Sequence, residues 1–111
     1  MPDGDDVRRL ALALPEVAEH DHHGRPSFRV RGRILATLWP EDGDAVLRLD
    51  PAEQAALFAL DPRTFEPARW GAVAWTRVHL AHVDPVELGE LVQDAWRGVA
   101  PRALVRAFDA R

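Results

Sequence analysis

The stretch Gly24–Trp39, GRPSFRVRGRILATLW, decides how this chain is read. Two runs in it, Ser27–Val30 and Ile34–Trp39, alternate along the chain and are joined at Gly32. That is the pattern of two strands and a turn. In a strand, residues two apart share a face. Phe28 and Val30 therefore point one way, and Ser27, Arg29 and Arg31 the other. In the second run Ile34, Ala36 and Leu38 share one face, and Arg33, Leu35, Thr37 and Trp39 the other. Two loops compete for this hairpin. A three-residue loop, Arg31-Gly32-Arg33, sets Val30 opposite Ile34 and Phe28 opposite Ala36, so that apolar residues meet. A two-residue loop, Arg31-Gly32, suits the glycine but sets Val30 opposite Arg33. Burial favours the longer loop, and that register is the expectation.

The same stretch holds four arginines, Arg25, Arg29, Arg31 and Arg33, and no acid. It is locally +4 in a chain whose net charge is −4. A positive segment in an acidic protein marks a surface for an anionic partner, provided that the arginines share a face. All 14 basic residues are arginine and lysine is absent, as a G+C-rich genome would write them. Weight therefore rests on where the charges sit, not on the choice of arginine.

Outward from this hairpin the chain reads as one domain over its 111 residues. Asp5 or Asp6 is expected to cap a first helix reaching Leu14, stopped by Pro15. Glu16–His23 suits a short edge strand. Pro40–Asp44 is a turn, and Ala45–Leu49 a third strand. Asp50-Pro51 and Asp84-Pro85 pair a good N-cap with a good first helical residue, and Glu53 and Glu87 stand at capping-box spacing. Helices are expected over Pro51–Leu60 and Pro85–Val99. Asp61-Pro62 should start only one turn, and Pro101 should open a last helix with Leu104, Val105 and Phe108 inward. Ala72–Leu80 reads as a long strand. This order does not alternate strictly, which argues for an antiparallel sheet with helices on one face, an α+β two-layer domain.

On that sheet the face away from the helices should collect Arg29, Arg48, Arg77 and His79, with Arg31 and Arg33 at the hairpin tip and Trp39 and Trp75 among them. Basic side chains with interleaved aromatics suit phosphates and bases. The plainer reading is a solvated sheet face balanced by local acids. Trp70, Trp75 and Trp96 are most simply core residues, although Trp70 beside Gly71 suits a groove rim.

Catalytic and cofactor chemistry finds little footing. His20, His22 and His23 cluster, but spacing fixes no third metal ligand, and exposed loop histidines are the expectation. The single serine, Ser27, has no nucleophile-elbow motif around it. Without lysine there is no Schiff base or phosphate-loop lysine, and there is no glycine fingerprint for a dinucleotide. Glu41, Asp42 and Asp44 share one turn and are read as solvated. The chain holds no cysteine. It also has no apolar run of about 18 residues. The opening MPDGDDVRR carries no apolar signal core. Together these point to a cytoplasmic protein without cofactor, metal or catalytic residues.

Several segments carry a resemblance to a family. They are LALP at Leu12–Pro15, HHGRPSFRVRGRILATL at His22–Leu38, LRLDPAEQAAL at Leu47–Leu57, WGAVAWTRVHL at Trp70–Leu80 and DAWRGVAPRAL at Asp94–Leu104. In order and spacing the chain resembles the MmcQ/YjbR family of small bacterial proteins. Those proteins often carry an aromatic residue before the glycine at position 24, where this chain has His23. The resemblance implies an α+β, secretion-chaperone-like fold, no established catalytic residues, and a DNA-binding role through a double-wing surface. The expected function is a non-enzymatic module. It would contact nucleic acid through Arg25, Arg29, Arg31, Arg33, Arg48, Arg77 and His79, with Trp39, Trp70 and Trp75 as groove aromatics. The alternative is a module that binds a protein or peptide on an open sheet.

Overall fold

A computed structural model describes residues 1–68 and 75–111. The chain opens with helix α1 (Gly4–Leu12), followed by strands β1 (Val17–His22), β2 (Arg25–Val30), β3 (Arg33–Trp39) and β4 (Asp44–Arg48). Helix α2 (Pro51–Leu60), strands β5 (Phe65–Pro67) and β6 (Trp75–His79), and helices α3 (Pro85–Val99) and α4 (Arg102–Asp109) complete it. The strands form one sheet in the order β1-β2-β3-β4-β6-β5, and every neighbouring pair is antiparallel. This is the α+β fold read from the sequence.

The two Asp-Pro helices begin and end where the sequence puts them. Asp50 Oδ2 accepts the Ala52 N–H at 3.0 Å, and Asp84 Oδ2 accepts those of Val86 and Glu87 at 3.0 and 3.1 Å. These caps are local and override nothing. The first helix differs from expectation. Its cap is Asp3, which exchanges hydrogen bonds with Asp6, and it ends at Leu12. The Asp61-Pro62 segment makes a turn and leads into β5, which was not foreseen. Of the expected strand Ala72–Leu80, residues Trp75–His79 are strand, and Ala72, Val73 and Ala74 lie outside the described residues.

Helix α3 packs against β3, β4 and α1. It buries Leu88, Leu91, Val92, Ala95, Trp96 and Val99, one stripe at helical spacing. Trp96 is fully buried, donates to the Pro15 carbonyl at 3.0 Å and lies 5.0 Å from the Phe108 ring of α4. The sheet offers Phe28, Val30, Ala36, Leu38, Leu47 and Val78 to this layer. Gln54 of α2 is buried and donates to Thr76 Oγ1 at 2.8 Å, which closes the layer over β6.

The β2–β3 hairpin corrects the register. Arg31 and Gly32 both have positive φ, 50° and 81°, and form the two-residue loop. Val30 pairs with Arg33, and Arg29 with Ile34. The register then shifts, so that Phe28 still pairs with Ala36. Leu35 is the extra residue of a β-bulge. The bulge satisfies both demands at once: the turn takes the short loop its glycine suits, and burial recovers its alignment two residues later. Its consequence is an exchange. Leu35 is fully buried in the core, whereas Ile34, expected there, turns to the opposite face and stays half-buried.

Candidate functional site

The sheet face away from the helices carries the candidate site, and its strands present it by alternation. From β2 come Arg25, Ser27 and Arg29. From β3 come Ile34, Thr37 and Trp39, with Asp44 and Val46 from β4 and Trp75, Arg77 and His79 from β6. Cross-strand pairs align them: Thr37 with Val46, Val46 with Arg77, and Asp44 with His79.

One half of the face is a closed charge network. Arg77 donates from Nε to Asp44 Oδ2 at 2.7 Å and from Nη2 to Asp42 Oδ2 at 2.9 Å. His79 places Nδ1 2.9 Å from Asp44 Oδ1 and Nε2 2.6 Å from Glu66 Oε2. Two carboxylates at two ring nitrogens suit the imidazolium, which has two N–H donors. The bond to Glu66 and then that to Asp44 raise the His79 pKa above its ordinary value, against a smaller opposing effect of burial. Arg77 is likewise held charged, chiefly by Asp44. Asp44 is only 4% exposed. The acids of the Glu41–Asp44 turn, expected to be solvated, are thus bonded to cations of the sheet.

The other half is a groove of about 530 Å³. Ile34, Trp39 and Trp75 form its apolar walls, Thr37 lies among them, and His22, His23 and Arg25 complete the lining. The bulge puts Ile34 here. The β1–β2 turn puts His23 here: His23 and Gly24 have φ of 53° and 84° between the paired residues His22 and Arg25. A left-handed histidine costs more than the asparagine such turns favour. The His22 and His23 rings meet edge to face at 4.5 Å. Arg25 lies over the Trp39 ring at 3.5 Å and bonds Glu41 at 2.6 Å. Trp39 Nε1 donates to Thr37 Oγ1 at 3.3 Å.

The expected arginine stripe is divided by this geometry. Arg31 pairs with Glu16 at 2.9 Å. Arg33 and Arg48 donate to the Val99 and Gly98 carbonyls at 3.3 Å each, at the C-terminus of α3, where the helix dipole favours cations. Both therefore serve the helix layer. Arg29 donates from Nε to Ser27 Oγ at 3.1 Å and stands 3.4 Å from His22 Nδ1. Among the described residues it meets no carboxylate. Trp75 lines the groove, and Trp70 lies outside the described residues. Sequence reasoning missed Ile34, Thr37, His22 and His23 as groove residues. The signal was present in the Arg31-Gly32 and His23-Gly24 pairs, each of which calls for a two-residue turn.

A sequence model described as YjbR matches residues 12–98. The chain belongs to the YjbR family. Uncharacterised proteins of Mycobacterium tuberculosis and Mycobacterium bovis are 31% identical to it, over 94% of this chain and 93% of theirs. The crystal structure of a Deinococcus radiodurans protein with a DUF419 domain superposes with a TM-score of 0.82 at 24% identity. That match covers 93% of this chain and 82% of the other, and it shows the shared fold. Among the described residues, no helix is long and apolar enough to cross a membrane.

Proposed function

We propose that this YjbR protein is a non-enzymatic, cytoplasmic binding module that grips a protein partner in the outer-face groove. One observation carries the reading. The cations that suggested nucleic acid are mostly bonded already, to Glu41, Glu16, Asp42, Asp44 and the end of α3, while beside them the described residues form an aromatic-lined groove. Affinity for nucleic acid comes largely from cations that replace counterions on phosphates. A cation that must first leave its carboxylate contributes less, and the net charge of −4 opposes approach. The groove, by contrast, has the size of ligand sites, about 300–1,000 Å³, and their make-up of apolar walls with a few polar groups. His79 supports the non-enzymatic reading, because both its nitrogens are engaged and neither has a free lone pair for a substrate proton.

A second reading, nucleic acid, has Arg29 in its favour, a cation on the same face as Trp39 and Trp75 that meets no carboxylate among the described residues. Single strands bind such mixtures by stacking. Titration of labelled duplex DNA, single-stranded DNA and peptide pools at two salt concentrations separates the readings. The protein-partner reading expects peptide binding that depends on Trp75 and changes little with salt. Tight DNA binding with a log–log salt slope of about 0.9 per phosphate contact would favour the second.

A further inference from the structure

The groove's lining is richer in hydrogen-bond donors than in acceptors. Among the described residues that line it there is no carboxylate, and Arg25, His22 and His23 all have hydrogens to give. Glu41 takes Nε and Nη2 of Arg25, which leaves Nη1. Thr37 and Trp39 bond each other. The Arg29 guanidinium stands 3.4 Å from Nδ1 of His22, which leaves Nε2 as the ring nitrogen turned to other partners. An occupant that complements this lining has an apolar, flat body and a carboxylate.

The site is also shallow. Ile34, Trp39 and Trp75 stay half-buried and His23 is exposed, whereas sites for free small ligands enclose about 70–90% of their occupant. A group attached to a larger body gains further contacts outside. Such contacts are at hand: His22 lies on β1, the sheet edge, whose outward side pairs with no strand among the described residues.

Resting on the protein-partner reading above, we infer that the groove receives the C-terminus of the partner chain, with an aromatic last residue. The ring packs against Ile34, Trp39 and Trp75, and the terminal carboxylate accepts hydrogen bonds from His22, His23 and Arg25. The chain before it leaves along the β1 edge. Capture of a terminal carboxylate is a known mode of peptide recognition, and aromatic anchors dominate interface energetics.

The test is a peptide array, random upstream and ending in Phe, Tyr, Trp or Ala, made both as free acids and as amides. The expected result is binding of the aromatic acids at least about tenfold tighter than their amides, the worth of a charge-assisted hydrogen bond. Peptides ending in Ala should be weak in both forms. The double variant His22→Leu, His23→Gly removes both imidazole donors and keeps Arg25, so it should narrow the gap between acids and amides severalfold and leave amides unchanged; glycine keeps the turn. Trp75→Ala should lose both. Circular dichroism checks that both variants fold. Equal binding of acids and amides, lost in Trp75→Ala, overturns the chain-end inference and leaves the groove reading standing. No peptide binding that depends on Trp75 overturns both.

Discussion

The two halves of the outer sheet face use the same residue types to opposite ends. Around Arg77 and His79, cations meet Asp42, Asp44 and Glu66 and form a closed set. Around Trp39 and Trp75, a guanidinium held by the single carboxylate of Glu41 and two imidazoles border an apolar groove whose described lining residues include no carboxylate. Counted along the sequence, both halves look basic. In space, Arg77 and His79 are held by three acids, Asp42, Asp44 and Glu66, whereas in the other half Glu41 takes Arg25 and the two imidazoles keep their donors. Charge written in a sequence is therefore not charge available to a partner, because each cation must be counted with the acid it faces.

The largest expected effect tests the bulge that creates the groove. Leu35→Ala should destabilise by about 3 kcal/mol, within the range for truncating a buried leucine. Ile34→Ala, one residue away, should cost about 1 kcal/mol, because that side chain is partly exposed to water. Urea unfolding of both variants measures the difference. Equal costs would return Ile34 to the core and remove the bulge from the account.

The next effect breaks the closed half. Asp44→Ala leaves Arg77 and His79 facing each other without their shared buried partner. Removal of one member of a buried pair costs about 3–5 kcal/mol, and the low end applies because both cations retain some contact with water. Peptide binding in the groove should persist in whatever fraction stays folded, since no groove-lining group is lost. A loss of stability below about 1 kcal/mol would place the pair among surface pairs.

A pH series separates the network from the helix layer. His79 has a folded pKa above its ordinary 6.5. Its contribution to stability is fully present below about 6.5 and is lost as pH rises through the higher folded value. Glu53 of α2 is raised from 4.5 to about 7, by burial first and then by Asp94 and Asp50. Its contribution is full below about 4.5 and is lost between about 4.5 and 7. Both make stability fall with pH, but in different windows. Glu53→Gln should flatten the fall between about 4.5 and 7, and Glu66→Gln should reduce the fall that begins at about 6.5. Urea midpoints from pH 4 to 9 check this, with the His79 ring proton followed by NMR (these pH limits bracket the ordinary carboxylate and imidazole pKa values). Identical profiles for both variants would show that neither group controls its window.

Much of the fold was legible, because its signals were local. Asp50-Pro51 and Asp84-Pro85 fixed two helices to the residue, as an N-cap needs only its own first turn. β5 was not legible: it has three residues and is strand only by pairing with β6. The hairpin register was half legible, since turn chemistry and burial gave different answers and a bulge reconciled them. The candidate site was least legible. Asp44 and His79 are 35 residues apart and meet only because β4 and β6 are neighbours across a crossover. No spacing rule reports that contact.

The smallest expected effect bears on the hairpin tip, where the sequence placed Arg31 and Arg33 together as contacts for DNA. The structure gives them different partners. Arg31 bonds Glu16 in the open, an exposed pair that solvent screening leaves with little effect on stability. Arg33 reaches the last carbonyls of α3, where a cation adds about 0.3–1 kcal/mol. Arg31→Ala should therefore be close to neutral, and Arg33→Ala should cost several tenths of a kcal/mol more. Salt sharpens the contrast. Raising ionic strength screens an exposed pair, so that the small cost of Arg31→Ala should vanish in high salt. The part of the Arg33 cost that comes from its hydrogen bond to Val99 should remain. Denaturation of both variants at low and high salt reads this directly, and a larger cost for Arg31→Ala at either salt concentration would mean that the tip pair, not the end of α3, anchors the hairpin.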